Sequence, residues 1–566
     1  MKPGFQLSNP GDKLFILLPL LYAVFYAPFG INETDGGFLT GLAWQIVQGK
    51  TLYADVVYVR PPLPVWLRAL ELNLWPENWA VLGERWLFYV KVALYSWLAA
   101  DLLMPGARRW VLAWIGFIVS VHCYPAAAWH TVDGILFSVL GFWLLLKPAS
   151  QTIGMIRLWA GVGATFAALL CKQSFYPLAF WLPLVLYFGQ GWRKTLQGLA
   201  AFIVYNALFF FYLYQSNTLN GFLGMTSGAS SGGQAWEHGV LDYIRINPML
   251  IGLCFILIIG MTGFMPKPHD EQRSGKWQLK KRLPVLVWSL FLLALTGSYA
   301  YAVRAHQDFT VPIGHSRLLF CMAVAYGIFS SSWMRSAVWS RQETLCFWTM
   351  TAICWCAAMS WGYSFPILFA APWVYIAIEM THRLAYLAGL QTFKSWPSTR
   401  NLYAGFWIIL LLSVFRLGYE FVYRDGKRSD MNVSMGAIFP RLSGIYSDKE
   451  TAAMYQELKE LAARYGPNFK TLPAFPLVNY LTKTRPVLPL DWVVRREMTG
   501  GQSILLKAIS GKAITYFIQK SCQESLQTDP ELAFTRSMKE QGVMLEETAH
   551  FWVIKATING GDTPPQ

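Results

Sequence analysis

The stretch Ile31–Leu63, INETDGGFLTGLAWQIVQGKTLYADVVYVRPPL, follows directly on the first apolar run and sets how the rest of the chain is read. It opens on two carboxylates, Glu33 and Asp35, and the pair Gly36-Gly37. Leu39, Leu42, Ile46 and Val47 then recur at helical spacing, which predicts a short amphipathic helix over 38–48. Gly49 supplies the stop, since glycine takes the left-handed conformation after a last helical turn without steric cost. A tyrosine-rich piece, Tyr53 to Tyr58, reads as extended. Arg60-Pro61-Pro62 excludes helix at the junction, because proline restricts both itself and the residue before it. A carboxylate therefore stands where an apolar segment leaves the bilayer, and a charge at such a position is costly and usually functional.

The remaining chain carries the same signature. Of 566 residues, 54% are hydrophobic and 14% charged, which is the composition of a membrane protein. The formal charge of +15 does not indicate nucleic acid, because the Lys and Arg residues fall in short loops between apolar runs and form no single patch. The eight cysteines show no metal-ligand spacing; Cys354 and Cys356 share one apolar run, and Cys522 stands alone in the tail. No small-residue cleavage site follows the first run, so it reads as a span and not as a removable signal.

About thirteen runs approach membrane-crossing length. They cover 13–30, 85–104, 110–124, 134–147, 157–171, 175–189, 195–214, 247–265, 283–302, 317–333, 345–361, 366–380 and 402–419. With the N-terminus inside, the loops at 105–109, 147–157, 189–194, 266–282, 334–342 and 381–401 are all inner and all enriched in Lys or Arg, as orientation requires. The odd count leaves residues 421–566 outside, as a small soluble α/β domain beside a membrane domain of residues 1–420. In the tail, Ser447–Glu450 and Thr528–Glu531 read as helix-opening capping boxes, and 513–518 and 551–554 as strands. Accessory packing over the membrane part is the expected role of this tail, with acceptor binding as a second one. The Gly/Ser-rich outer loop 215–246 reads either as a lid or as a plain connection.

The ionisable groups at outer span ends form one set. Glu33, Asp35 and Asp133 are the acids. Arg60, Lys172, Arg304 and Arg317 are the cations, with His130, His306 and His315 nearby. Asp35 reads as a functional carboxylate, with capping of the following helix as the competing role. Asp133 reads as a second acid or as the cap of its own span. Lys172 interrupts LLCKQSFYPL and either snorkels to the interface or binds phosphate. Arg304 and Arg317 present forks that match phosphate oxygens, against the alternative of a solvated loop. Tyr53, Tyr58 and Trp129 suit stacking on sugar faces or interfacial anchoring.

Together, Glu33-Thr34-Asp35, the following helix, Gly49-Lys-Thr-Leu-Tyr53-Ala-Asp55 and Arg60-Pro61-Pro62-Leu63 resemble the GT-C glycosyltransferases that use polyprenyl-phosphate sugars: the family 39 enzymes (protein mannosyltransferases, aminoarabinose transferases) and the arabinofuranosyltransferases. Lys172-Gln173 fits the same pattern, which covers the first 190 residues well and the rest in architecture only. The acid pair departs from the Asp-Glu or Asp-Asp of many members, and Asp35 is the acid placed as theirs is. The resemblance implies a GT-C fold of about 13 transmembrane helices, with juxtamembrane helices in the first outer loop. It also implies a bacterial inner membrane location with the C-terminal domain periplasmic, and a polyprenyl-phosphate-linked sugar donor. The acceptor would be a glycan, glycolipid or protein. Asp35 would then be the general base of an inverting transfer, with Lys172, Arg304, Arg317, His306 and His315 holding the donor phosphate. Glu33, Arg60, Tyr53, Tyr58, Trp129, His130, Asp133 and Gln173 complete the candidate site. No metal site is expected, although a divalent cation shared by Asp35 and Asp133 stays open. A lipid-linked sugar flippase or transporter and a non-catalytic envelope assembly protein are the alternative classes.

Overall fold

The computed structural model describes residues 10–32, 34–106, 109–121, 126–146, 153–227 and 425–557, with position 241 and parts of 323–379 and 412–420. Glu33, Arg304, His306, His315 and Arg317, with the spans expected at 247–265 and 283–302, lie outside the described residues.

The N-terminal part is a stack of helices. It begins with α1 (Pro10–Phe15) and α2 (Leu17–Phe25), which end earlier than the apolar run suggests. Pro28 and Gly30 (φ +80°) turn the chain there. The buried guanidinium of Arg85 donates to the carbonyls of Ala27 (2.7 Å), Phe29 (3.3 Å) and Gly30 (2.7 Å), which satisfies the helix-exit carbonyls and clamps the start of the Ile31–Leu63 stretch. Then come α3 (Phe38–Val47), α4 (Leu63–Leu74), α5 (Ala80–Leu103), α6 (Arg109–Val121), α7 (His130–Leu146), α8 (Met155–Leu169), α9 (Pro177–Gln190), α10 (Trp192–Gln215) and α11 (Leu219–Thr226). Two stretches among the described residues, Glu77–Leu103 and Trp192–Gln215, are long and apolar enough to cross a membrane; α6, α7 and α8 are shorter apolar helices.

The resemblance implies juxtamembrane helices in this loop, but the residue pattern placed only α3, and α4 is the second. Pro62 acts as its N-cap and Pro64 sits in its first turn, positions where a missing N–H costs nothing. The prolines that exclude helix before Leu63 thus open one after it.

The C-terminal segment carries a four-stranded sheet in the order β3-β4-β6-β5. Strand β3 is Phe469–Leu472, β4 Ala513–Gln519, β5 Val543–Glu547 and β6 Phe551–Thr557; the two-residue strands β1 (Val433–Ser434) and β2 (Tyr446–Ser447) precede them. β4 pairs parallel with β3 and antiparallel with β6. The expected capping box shifts by one residue. Asp448, not Ser447, caps the helix Lys449–Tyr465 by accepting from the Thr451 N–H at 2.9 Å.

Helix α3 does not lie open on a membrane surface. Phe38, Leu39, Thr40, Gly41, Leu42, Ala43 and Gln45 are all buried, because the C-terminal segment covers the face opposite α4. Its glycines permit this approach. A Cβ on Gly37 would lie 2.2 Å from Leu477 Cγ, and one on Gly41 2.5 Å from the Pro476 carbonyl oxygen. Gly37 also has φ +92°, which a side chain would strain. Gly37→Ala is therefore expected to destabilise the protein by roughly 1–3 kcal/mol from strain alone, with Leu477 overpacked in addition. Thermal unfolding of the purified protein reads this directly, and an unchanged melting temperature would contradict the close approach.

Candidate functional site

Asp35 sits on a turn built by its neighbours. The Asn32 side-chain oxygen accepts from the backbone N–H groups of Thr34 (3.1 Å) and Asp35 (2.7 Å) and from the Thr34 hydroxyl (2.8 Å). The Asp35 carbonyl accepts from Phe38 N–H at 3.2 Å. The N-cap of α3 is Gly37, with no side chain capping it, so the start of the helix does not rest on the Asp35 carboxylate. That residue is 8% exposed, an unusual degree of burial for an acid.

A wall of rings leads away from this turn. Trp492, from the C-terminal segment, donates its indole N–H to the Thr34 carbonyl at 2.9 Å, one residue from Asp35. Its ring lies 4.3 Å from that of Phe38, which in turn lies 5.9 Å from Trp129 and 6.4 Å from both Tyr58 and His130. The Arg60 guanidinium stands 5.3 Å over the same Phe38 ring, a cation–π contact. Phe38, the first residue of α3, thus links the acid's turn to the cation.

Arg60 is held from both ends. Its carbonyl accepts from the Tyr53 hydroxyl at 2.7 Å, and its fork meets Glu497 in two bonds of 2.6 Å. The bidentate geometry fixes the guanidinium plane. Lys172 is half-buried between α8 and α9, close enough for Arg60, Glu497 and Arg496 to act on it. Burial pushes its ammonium well below the usual lysine range, Arg60 pushes it further, and Glu497 opposes both. Gln173 donates to the Val59 carbonyl at 2.6 Å and thereby ties the Lys172 junction to the loop carrying Tyr58 and Arg60.

Behind α3 lies a buried network of charges. Arg68 (α4), 1% exposed, meets Glu84 at 2.6 Å and Glu71 at 3.1 Å, and donates to the Thr40 hydroxyl at 2.9 Å. Glu84 accepts from Thr40 (2.8 Å) and from the Ala128 N–H (2.7 Å). Lys91 joins Asp133 (2.7 Å) to Glu71 (3.5 Å). Each buried charge has an opposite partner, the condition under which such groups are tolerated. Asp133 therefore stands in the first turn of α7 as the partner of Lys91. Lys91→Met, which leaves Asp133 without its cation, is expected to cost roughly 3–5 kcal/mol, and the double variant Lys91→Met/Asp133→Leu to recover much of it. Apparent melting temperatures test this; a double variant no better than the single would contradict the pairing.

Of the candidate residues read from sequence, the fold gathers Asp35, Arg60, Tyr58, Trp129, His130, Lys172 and Gln173 around Phe38 and its neighbouring loop. Tyr53, with φ +68°, is buried against Phe222 and serves the Arg60 loop. Among the described residues no group of His, Cys, Asp and Glu gathers to hold a metal. Sequence reasoning missed Glu497 and Trp492, which only tertiary packing brings to the site. It also missed the Arg68–Glu84 core of the network. The helical spacing of LPVWLRALELNL was a usable signal for α4, and Glu84-Arg85 at the head of an apolar run was another.

No protein-family model matches the chain, and no curated protein does. Among solved structures, it is similar to ArnT from Cupriavidus metallidurans in the apo state (12% identity, TM-score 0.40) and bound to undecaprenyl phosphate (12% identity, TM-score 0.37), each likeness covering 96% of this chain and 97% of that one.

Proposed function

We propose that this chain is an integral-membrane, inverting glycosyltransferase that moves a sugar from a polyprenyl-phosphate donor to an acceptor hydroxyl at the outer face of a bacterial inner membrane. The observation that carries the reading is the buried Asp35 on a turn that Trp492 and Phe38 link to Arg60, with Lys172 close enough to Arg60 to be influenced by it. A buried acid whose turn adjoins the Phe38 ring, with Arg60 over that ring and Lys172 beside Arg60, suits a reaction needing a base at one end and charge stabilisation at the other.

In this reading Asp35 takes the proton of the acceptor hydroxyl as its oxygen attacks the anomeric carbon. The bond from that carbon to the phosphate oxygen breaks, and the phosphate leaves with the electron pair. Lys172 and Arg60 stabilise the charge that develops on it, with Arg304, Arg317, His306 and His315 as further ligands. A phosphate is a good leaving group and needs no general acid. A single displacement with no covalent enzyme intermediate inverts the anomeric carbon. The lipid tail runs among helices such as α10, whose apolar side chains Ile203, Leu208, Phe211 and Tyr214 are largely exposed. Residues 1–420 form the multi-pass membrane part, N-terminus inside, and residues 421–566 the periplasmic part.

The test is a reconstituted system. Proteoliposomes loaded with polyprenyl-phosphate sugar are expected to release polyprenyl phosphate when acceptor is supplied. Transbilayer movement of the intact donor without release would favour a flippase and sink the transferase reading.

A further inference from the structure

Three buried polar side chains on adjoining segments have no hydrogen-bond partner among the described residues: both ring nitrogens of His130, the Tyr58 hydroxyl and the Ser174 hydroxyl. They are 0%, 1% and 6% exposed. Buried polar atoms are nearly always satisfied, and leaving one unmet costs about 1–3 kcal/mol. Three such groups on adjoining segments leave hydrogen-bonding capacity for a polar ligand.

They are held together from several directions. The rings of His130 and Tyr58 each lie 6.4 Å from Phe38. Trp129 stacks on His130 at 4.4 Å. Ser174 rides on the short turn Gln173–Phe175, which is pinned at both ends. Gln173 bonds the Val59 carbonyl, next to Tyr58. Phe175 fills the place of a Cβ on Gly134, one helical turn beyond His130. The cluster is thus part of the packed core.

We infer that Tyr58, His130 and Ser174 form a subsite for the hydroxyl groups of the transferred sugar. The inference rests on the transferase reading above and names its sugar-recognising side chains. A hydroxyl and a neutral imidazole both donate and accept, which is what a ring bearing several hydroxyl groups demands. The charged groups nearby, Arg60 and Lys172, suit the phosphate. The Trp129 and Phe38 rings supply apolar surface of the kind sugar C–H faces pack against. Tyr58 and His130 flank the Phe38 ring, whose backbone N–H bonds the Asp35 carbonyl, and Arg60 lies over the same ring. Specificity follows from the same physics, since a site built to bond a hydroxyl rejects an analogue that lacks it.

The test uses the full chain in lipid nanodiscs and two readouts. In ligand-free protein, Tyr58→Phe and Ser174→Ala are expected to raise the melting temperature, because they remove unmet polar atoms while keeping or nearly keeping side-chain shape. A fall in both would show these groups to be internally satisfied and would overturn the inference. For binding, the probes are undecaprenyl phosphate and undecaprenyl phosphate carrying neutral or amino pentoses and hexoses. The wild type is expected to bind at least one sugar-bearing lipid more tightly than the bare phosphate. Tyr58→Phe, Ser174→Ala and His130→Phe should each erode that gain roughly three- to tenfold without changing affinity for the bare phosphate. Equal losses for both lipids, or no gain from any sugar, overturn the subsite alone. Failure of the wild type to bind either lipid overturns the donor reading as well.

Discussion

Asp35→Asn is expected to lower sugar transfer by roughly 10²–10⁴-fold, the usual contribution of a positioned general base. The amide keeps the size and shape of the carboxylate but cannot take a proton. The turn that carries it is held by backbone N–H groups bonded to Asn32, and α3 starts from Gly37 without a side-chain cap. Folding therefore does not depend on the carboxylate charge through either feature. The variant should keep its affinity for undecaprenyl phosphate while losing turnover. Steady-state transfer with binding measured in parallel separates these effects. Full activity in Asp35→Asn would remove the residue from the chemistry, and loss of binding together with folding would assign it a structural role.

Lys172→Met is expected to lower transfer by roughly 10²–10³-fold, the scale found when one preorganised electrostatic contact to the developing charge is removed. The pH dependence gives a sharper signature. The ammonium is held well below its usual value of 10.5 by burial, with Arg60 adding to the effect. A group whose folded value is depressed binds fewer protons in the folded than in the unfolded chain, so stability rises with pH between the two values. A phosphate arriving beside it favours the charged form and raises the value again. Where Lys172 is neutral, donor binding must then take up a proton, and affinity for a sugar-bearing phosphodiester should fall as pH rises through the depressed value. Lys172→Arg, whose charge persists, should abolish that slope. Affinity independent of pH in the wild type, with no weakening in Lys172→Met, would exclude contact between this lysine and the donor.

Both predictions join residues that the chain keeps far apart. Much of the local structure around them was legible. The spacing of Leu39, Leu42, Ile46 and Val47 and the stop at Gly49 predicted a helix over 38–48, which runs Phe38–Val47. The strands expected at 513–518 and 551–554 are present as Ala513–Gln519 and Phe551–Thr557. Such elements follow from period and from glycine or proline punctuation, which act over a few residues. The start of helix α4 was not legible, because proline excludes helix before it and opens one after it.

The candidate site was legible only in part. Asp35, Lys172 and Arg60 drew notice because a charge inside or beside an apolar run is costly and therefore conspicuous. Glu497 did not, since an acid in a polar tail carries no such signal; Arg60 meets it only because the C-terminal segment folds over the first loop. Asp133 read in sequence as a second acid or as the cap of its own span, and packing alone gave it Lys91 for a partner. By itself the sequence determined the apolar composition, helix α3, the strands β4 and β6 and the kinds of charge available, because hydropathy and backbone preference are local quantities. Which charges neutralise one another and which polar atoms stay unmet was decided by tertiary structure, because electrostatics and hydrogen bonding depend on distances that only the folded chain sets.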